Sequence, residues 1–309
     1  MNEINKGMRD PQSAAPFKIG VIVLTYNQES LLQTCIDSII SQELKSAEME
    51  IYIVDDASTD STKDIIERYA SIYPNKVIPV FHETNQYQNG KSPEFPVIEC
   101  LDVSHIAFCD GDDYWIDNQK LEKQIQLFME DNSLAIVHTD YFFGRGRDSK
   151  IDYVNRTNKE RKKASIIKTS NDLIQGNDIK KSTALFRKSA IDFTFLQKCI
   201  GVRAQDWLVA VSAGMNGGIH FIDEQTTCYR MSTEASFQSL DQKERLKIKN
   251  EVRWFCATNL PEGELRDEFR YFLIRQEIRK LISENPLYRG IRPVVHLIRY
   301  LKNSAKKLI

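Results

Sequence analysis

Apolar and polar positions along the first 140 residues predict strands and helices in alternation. Five short apolar runs have the length of buried strands, at 18–24, 50–54, 76–81, 105–109 and 134–139. Three segments carry apolar residues at helical spacing, at 31–42, from about 62 and from about 117. This alternation predicts an α/β fold, in which helices flank a mostly parallel sheet.

The pattern weakens after residue 140 and changes character near residue 240. Apolar runs at 182–189 and 218–223 predict further strands, and 203–214 reads as a helix. The chain from 240 is strongly helical and charged. We therefore expect three regions, namely a flexible leader (1–16), an α/β domain (17–235) and a helical C-terminal region (236–309).

Composition adds only broad limits to this picture. The 309 residues are 41% hydrophobic and 28% charged, which is ordinary for a globular enzyme. A net charge of −1 provides no overall attraction to nucleic acid. Six scattered cysteines without a CxxC pair argue against a zinc site or disulfides and favour a reducing cytosol. The N-terminus lacks the apolar core of a signal peptide, so we expect a cytoplasmic protein.

Each unusual polar cluster directly follows a predicted strand. "TYN" follows the first strand, "DDAST" the second and "DGDD" the fourth. Ligands of open parallel sheets bind beyond the carboxyl ends of the strands. The pattern therefore predicts that one rim of the sheet gathers all three clusters.

The "DGDD" cluster places Asp110, Asp112 and Asp113 within four positions, where their charges repel. Carboxylate oxygens suit Mg²⁺ or Mn²⁺, which add water and substrate phosphates to their shell. Taken alone, such a cluster is more often a solvated turn that caps the next helix. A calcium EF-hand loop is excluded, because Trp115 and Leu121 stand where glycine and glutamate are needed. Dinucleotide-binding and P-loop glycine motifs are absent from the sequence.

Three segments, in this order and at these separations, resemble family 2 of the inverting nucleotide-sugar glycosyltransferases. They read "VIVLTYNQESLLQTCIDSIISQ", "EIYIVDDASTDST" and "HIAFCDGDDYWIDNQKLEKQIQLF". The resemblance covers about 18–130 and continues weakly to about 232. It implies a GT-A fold and metal-dependent sugar transfer from a nucleoside diphosphate, UDP by the family match. The implied acceptor is a hydroxyl of a glycan or lipid-linked glycan, in cell-surface polysaccharide synthesis.

The resemblance also assigns roles to residues after the first two strands. It implies that Thr25, Tyr26 and Asp56 contact the nucleotide base, with Asp56 accepting from a ring N–H. Asn27 and Asp55 are expected to shape the turn. We also expect one of the two aspartates to cap part of the following helix.

The resemblance also implies roles for residues of the "DGDD" cluster and of a later helix. Asp112 is the implied ligand of Mn²⁺ or Mg²⁺, while Asp110 contacts the ribose or reaches the metal through water, and Asp113 orients that shell. Trp115 is expected in the core or at the rim rather than under the sugar. Asp206 in "RAQDWL" matches the family's catalytic base at the start of a later helix. The alternative is that Asp206 only caps this helix.

Two departures from the family pattern concern positive charge near the nucleotide. A Gly…Ala-Arg-Asn segment is replaced by "HETNQYQNGKSPEFP", in which Lys91 is the candidate cation. The family's Tyr-Arg-x-His becomes Tyr229, Arg230 and then Ser232 in the histidine position, so that diphosphate contact is lost. Arg230 either binds phosphate or pairs with an acidic residue, and the sequence favours neither.

Two other functions stay open on the sequence. A nucleotidyltransferase on a similar fold normally has a glycine-rich loop after the first strand, and "TYNQES" contains no glycine. The intact carboxylates argue against a catalytically inactive nucleotide-sugar-binding homologue. The missing histidine leaves this alternative open.

The last 24 residues form a separate prediction. Residues 286–309 hold six basic and no acidic residues, with apolar residues near one helical face. Such a basic amphipathic helix lies on the cytoplasmic face of an anionic membrane, or packs on the catalytic domain or on a second subunit of a homo-oligomer.

Overall fold

The computed structural model describes residues 17–145, 152–155, 167–231 and 240–284. The strands are β1 (Phe17–Thr25), β2 (Ala47–Asp55), β3 (Val77–Phe81), β4 (His105–Phe108), β5 (Tyr114–Trp115), β6 (Leu134–Arg145), β7 (Asp152–Val154), β8 (Ala184–Arg187) and β9 (Gly218–Arg230). The helices are α1 (Leu32–Ile40), α2 (Thr62–Ile72), α3 (Phe95–Cys100), α4 (Lys120–Glu130), α5 (Phe193–Leu196), α6 (Gln205–Gly214), α7 (Gln242–Asn259) and α8 (Glu264–Glu284). The predicted leader, Ser232 and the predicted tail at 286–309 lie outside the described residues.

One sheet joins the strands in the order β3-β2-β1-β4-β8-β6-β9-β5, with β7 paired to β6. The first four of these strands, β3, β2, β1 and β4, are parallel to one another. β8 runs antiparallel to both β4 and β6, β9 is parallel to β6, and β5 is antiparallel to β9. The predicted α/β fold with a mostly parallel sheet is confirmed.

Alternate side chains of the central strands enter two hydrophobic clusters, one on each face of the sheet. On one face, Val21 and Val23 of β1 pack with Ile36 of α1 and other apolar residues of α2 and α4. On the other face, Ile22 and Phe108 pack with apolar residues of α3, α5 and α6. This is why the strands read as almost continuous apolar runs, since both faces are covered.

The two long C-terminal helices complete the second of these clusters. Val252 and Phe255 of α7 and Phe269 of α8 are buried in the same cluster as Trp207 of α6. Their apolar faces therefore cover the sheet together with the helix that carries Asp206. The domain boundary expected at residue 235 stays a prediction.

Several elements differ from the sequence prediction for identifiable reasons. β6 and β9 continue past residues 139 and 223 and stay paired as far as Gly144 and Arg230. Irregular register around Asp140 breaks the alternation that would have indicated the longer strands. Helix α3 was not predicted, because six residues are too few to show a helical period.

Two further expectations concern cysteines and membranes. All six cysteines are free thiols in the structure. Within the described part of the chain, the structure contains no helix that is both long and apolar enough to cross a bilayer.

Candidate active site

Strand register brings the three polar clusters to one rim of the sheet. Thr25, the last residue of β1, lies opposite Asp55, the last residue of β2. Just beyond, the Asp56 N–H donates to the Thr25 carbonyl at 2.9 Å. On the other side of β1, the Gly111 N–H donates to the carbonyl of Leu24 at 2.9 Å. The turns after β1, β2 and β4 are therefore neighbours in space.

The turns after β1 and β2 are tied together by side-chain to backbone bonds. The Asn27 N–H donates to the Ser58 hydroxyl (2.9 Å), and the Asn27 side-chain oxygen accepts from the Thr59 N–H (2.7 Å). Asp55 is buried and accepts from the Ser58 N–H at 3.1 Å and from the Ser58 hydroxyl. These bonds fix the shape of the turns that follow the two strands.

Asp56 is also buried and holds a distant loop. Its two carboxylate oxygens accept from the backbone N–H groups of Gln86 (2.7 Å) and Tyr87 (3.0 Å). Neither Asp55 nor Asp56 caps helix α2. The expectation that one of them would do so was wrong, because Asp55 accepts from Ser58 within its own turn and Asp56 accepts from the backbone of another loop.

Beside these aspartates, Thr25 and Tyr26 present two different surfaces. The buried Thr25 hydroxyl donates to Gln28 Oε1 at 2.8 Å, whereas Tyr26 is 39% exposed above the rim. A Cβ at position 111 would collide with Gln28 Oε1, so any larger residue there would displace the Gln28 side chain from its bond to Thr25. Contact of Thr25, Tyr26 and Asp56 with a nucleotide base stays a prediction.

The carboxylates of the "DGDD" turn have three different environments. Asp113 is 2% exposed and accepts from the Arg230 N–H at 3.1 Å; burial and the neighbouring aspartates raise its pKa well above the ordinary value. Asp112 is half-buried, and within the described residues no side chain pairs with it. Burial, followed by the charge of Asp110, raises the pKa of Asp112 to about 6. These carboxylates do not cap α4, which begins at Lys120.

Asp110 forms an ion pair that the sequence did not reveal. Its carboxylate is 31% exposed and lies 2.9 Å from Lys181 Nζ. The same ammonium lies 3.4 Å from Glu94 Oε1. Burial raises the pKa of Asp110, and the charge of Lys181 opposes that shift. No local signal identified Lys181, because Glu94 is 87 positions away in the sequence and the two meet only in the fold.

Arg230 lies beneath the same turn. It is 9% exposed, its guanidinium lies over the Tyr114 ring at 4.8 Å, and one terminal nitrogen donates to the Leu31 carbonyl at 3.3 Å. Its buried Nε finds no hydrogen-bond partner among the described residues. Its positive charge counteracts part of the rise in the pKa of Asp112. Both sequence alternatives for Arg230 stay open.

Trp115, at the end of the turn, is a core residue. It is 4% exposed, and its indole N–H donates to the Ser182 carbonyl at 2.9 Å. The expectation that Trp115 belongs to the core or rim is therefore confirmed.

Asp206 lies in the first turn of α6. Its Oδ2 accepts from the side-chain amide of Asn177 at 3.4 Å. The residue before the helix, Ala204, provides no side-chain cap. Burial raises the pKa of Asp110 and of Tyr229, and the negative charge of Asp206 adds to both shifts. Asp206 is thus within electrostatic reach of the carboxylate rim.

Two buried side chains fix the segment that leads to Asn177. The Trp207 indole N–H donates to the first carbonyl of segment 173–175 at 2.9 Å. Arg253 of α7 donates to the next two carbonyls at 3.0 and 2.6 Å. Since Asn177 lies two residues beyond this segment, the contacts from α6 and α7 help to position the partner of Asp206.

Backbone conformation marks the same rim independently. Among the described residues, three that are not glycine have positive φ, namely Asn27 (51°), Ala57 (65°) and Ala204 (55°). Each lies in a turn that carries candidate site residues. Such conformations cost about 1–3 kcal/mol for alanine and cluster at functional sites.

The donor set fits a divalent metal that arrives with its substrate. No group of three or more His, Cys, Asp or Glu side chains in the described ranges could by itself hold a metal. Mg²⁺ and Mn²⁺ commonly use one or two carboxylates and complete their shell with phosphate and water. Asp112, which lacks a partner side chain, suits that role better than Asp110, which is paired with Lys181.

Comparison with known proteins then defines the class. Residues 20–195, more than half of the chain, match the family described as glycosyl transferase family 2. The protein belongs to this family.

Individual relatives match this chain over shorter stretches. A poly(ribitol-phosphate) beta-glucosyltransferase of Bacillus spizizenii is 36% identical over 97 residues, which cover 31% of this chain and 15% of that protein. The chain spans less than half the length of the curated relatives it matches.

Solved structures with a similar fold include two glycosyltransferase complexes. TarS residues 1–349 of S. aureus with UDP-GlcNAc gives a TM-score of 0.58 at 20% identity, over 86% of this chain and 73% of that one. The mannosyltransferase PcManGT of Pyrobaculum calidifontis with GDP-Man and Mn²⁺ gives 0.57 at 16% identity, over 97% and 85%. These likenesses confirm the predicted GT-A fold.

Proposed function

We propose that this protein is a metal-dependent inverting glycosyltransferase. It transfers a sugar from a nucleoside diphosphate, UDP in our proposal, to a hydroxyl of a cell-surface polysaccharide or its lipid-linked precursor. The observation that carries the proposal is the convergence of the "DGDD" carboxylates with the strand-end turns on one side and Asp206 on the other. Family membership supports the reaction class.

The donor is proposed to bind across the strand-end turns. Thr25, Tyr26 and Asp56 contact the base, while Asn27 and Asp55 hold the turns in place. Asp110 contacts the ribose or a metal-bound water. Mn²⁺ or Mg²⁺ held by Asp112 would supply positive charge against the charge that grows on the leaving diphosphate. TarS has been crystallised with UDP and with UDP-GlcNAc, which supports a uridine nucleotide here.

Asp206 is proposed as the general base. Its carboxylate accepts the proton of the acceptor hydroxyl while that oxygen bonds to the anomeric carbon. The bond from the anomeric carbon to the diphosphate oxygen breaks in the same step, and its electron pair leaves with the diphosphate. One displacement inverts the anomeric configuration. The Asn177 amide, 3.4 Å from the carboxylate, holds it in orientation.

The acceptor proposal rests on relatives. One is named a poly(ribitol-phosphate) beta-glucosyltransferase, and another a putative teichuronic acid biosynthesis glycosyltransferase of Bacillus subtilis. Both names point to anionic cell-wall polymers. We infer an acceptor of this general class.

A panel of nucleotide sugars tests the proposal directly. In the presence of Mn²⁺, one nucleoside diphosphate sugar should raise the melting temperature, because a ligand that binds only the native state stabilises it. EDTA should remove most of that shift, and the same sugar should then be transferred to a cell-wall polymer acceptor. Stabilisation without transfer to any acceptor would favour an inactive homologue. Pyrophosphate release from a nucleoside triphosphate and a sugar phosphate would favour a nucleotidyltransferase.

A further inference from the structure

A partly buried cluster of one lysine and two carboxylates lies beside the candidate reaction centre. Lys181 Nζ is 2.9 Å from Asp110 Oδ1 and 3.4 Å from Glu94 Oε1. Glu94 is 5% exposed and accepts from the Ser92 hydroxyl at 2.8 Å. The Phe108 ring lies 5.6 Å from the ammonium. An apolar floor and two carboxylates therefore fix the lysine head in one position.

The ammonium has hydrogen-bonding capacity that the described residues do not use. A lysine head carries three protons. Two point to Asp110 and Glu94, and the described residues offer no third acceptor. The Lys181 side chain is 18% exposed, so it is not sealed from the site. One donor is available to a bound molecule.

The position of this donor matches one part of the proposed substrate. The transferred sugar must lie between the diphosphate, near the "DGDD" turn, and the acceptor oxygen, near Asp206. Lys181 touches Asp110 on the first side, and the charge of Asp206 on the second side also acts on it. The Lys181 ammonium therefore lies beside the region in which the sugar ring of a bound donor would be held.

We propose that Lys181 binds the transferred sugar of the donor, and that Glu94 is the positioning residue that holds it. This inference rests on the proposed function. The third ammonium proton is donated to a ring hydroxyl oxygen, in a charge-assisted hydrogen bond. Asp110 and Glu94 are also placed to accept protons from neighbouring hydroxyls.

The charge balance specifies the class of sugar. The positive charge of Lys181 is already paired with two carboxylates, and Asp112 and Asp206 add further negative charge nearby. A sugar carboxylate placed there would face several like charges, which disfavours it. The site is therefore suited to a neutral, hydroxylated sugar rather than a uronic acid.

Calorimetric binding in Mn²⁺ separates sugar recognition from nucleotide recognition. The probes are UDP, UDP-glucose, UDP-GlcNAc and UDP-glucuronic acid, with GDP and GDP-mannose as a second set. In Lys181→Met, the affinity for the neutral sugar nucleotide should fall about tenfold or more, because a hydrogen bond to a charged group is lost. The affinity for the free nucleotide should change less than about twofold, because no nucleotide contact is removed. Wild-type protein should bind UDP-glucuronic acid more weakly than the neutral sugar nucleotide.

Two further variants keep the test decisive. Glu94→Gln retains Lys181 but weakens the contact that holds its ammonium in place. We therefore expect a smaller loss of affinity, confined to the sugar nucleotide, and this variant can be measured even if Lys181→Met folds poorly. Lys198→Met removes an exposed lysine and should leave all affinities unchanged.

Each contrary result has a separate meaning. Equal losses for free nucleotide and sugar nucleotide in both site variants would overturn the inference while leaving the proposed function intact. Tight wild-type binding of UDP-glucuronic acid would overturn the neutral-sugar assignment. Failure of wild-type protein to bind any of these nucleotides would overturn the proposed function, and the inference with it.

Discussion

The N-terminal half (residues 17–131) and the C-terminal half (residues 167–284) supply the same rim by different means. In the N-terminal half, the register of β1 with β2 and β4 places the turns, and short bonds between adjacent turns complete them. In the C-terminal half, Asp206 is placed by the segment around Asn177, which Trp207 and Arg253 hold from separate helices. The first arrangement is local to the strand ends, whereas the second depends on long-range packing.

This difference separates two tasks. The polar groups of the N-terminal half are those expected to bind the nucleotide and the metal. The C-terminal half contributes the carboxylate that is expected to react. Variants in the two halves should therefore affect different measured quantities, and the following predictions test that division from the largest effect to the smallest.

The largest effect is expected from Asp206→Asn. The amide cannot accept the proton of the acceptor hydroxyl, so kcat should fall about 10³-fold, within the usual range for loss of a general base. Affinity for the sugar nucleotide, measured by calorimetry, should stay within about twofold because Asp206 is proposed to contact the acceptor hydroxyl rather than the donor. Asp102→Asn, at an exposed position, is the matched control. Turnover close to wild type in Asp206→Asn would exclude this residue as the base.

Asp112→Ala should produce the opposite pattern. The Mn²⁺-dependent part of UDP affinity should fall at least about tenfold, since the carboxylate without a protein partner is removed. Affinity measured in EDTA should change little. Calorimetric titrations with and without Mn²⁺ provide both values. If the metal-dependent affinity persists, Asp112 is not the metal ligand. The assignment of metal binding to the N-terminal half would then be wrong.

The difference between local turns in the N-terminal half and long-range packing in the C-terminal half also explains which features could be predicted from the sequence. The strands of the N-terminal half and the shared rim were readable because apolar run length fixes where parallel strands end. The hydrogen-bond partners of the polar residues beyond the strand ends could not be predicted from the sequence. Either Asp55 or Asp56 was expected to cap part of the following helix, but the oxygens of Asp56 hold Gln86 and Tyr87 in another loop. The hydrogen-bond partner of a polar side chain depends on which groups the fold brings close to it. Separation along the sequence does not indicate which groups these are.

In the C-terminal half, fewer features could be predicted from the sequence, for physical reasons. β8 is four residues long and its antiparallel direction follows from connections rather than from its own pattern. Lys181 resembled any loop lysine until the fold placed it between Glu94 and Asp110. Asp206 was found through a motif, whereas its supports, Asn177 and Arg253, match no motif.

Arg253→Met tests whether the C-terminal half depends on this long-range packing. Arg253 is 3% exposed, and its loss leaves two carbonyls of segment 173–175 unpaired. We expect a loss of about 2 kcal/mol in the free energy of unfolding, within the range for unsatisfied buried groups. Below the melting temperature, kcat should fall while sugar-nucleotide affinity is retained. Arg275→Met, on the exposed side of α8, should change neither quantity. A selective loss of nucleotide affinity would show that the two halves are not separable.

The smallest effect is expected from His105, at the start of β4. His105 is 1% exposed between the rings of Phe17 and Phe128, and burial, followed by the charge of Arg187, lowers its pKa to about 3. An unfolded histidine titrates near 6.5. Because the folded pKa is the lower one, this contribution to stability is complete above pH 6.5 and is lost as pH falls towards 3.

The corresponding variant is His105→Phe, compared with wild type by urea unfolding between pH 6 and pH 4.5. Wild type should lose about 1.4 kcal/mol more per pH unit than the variant, which is the value for one proton. Any packing strain from the larger ring shifts the variant equally at every pH and cancels in this difference. His220→Phe, at an exposed position, should keep the wild-type slope. Parallel pH profiles for wild type and His105→Phe would show that His105 takes up its proton without unfolding β4. The acid response would then have to be sought in the carboxylates of the rim.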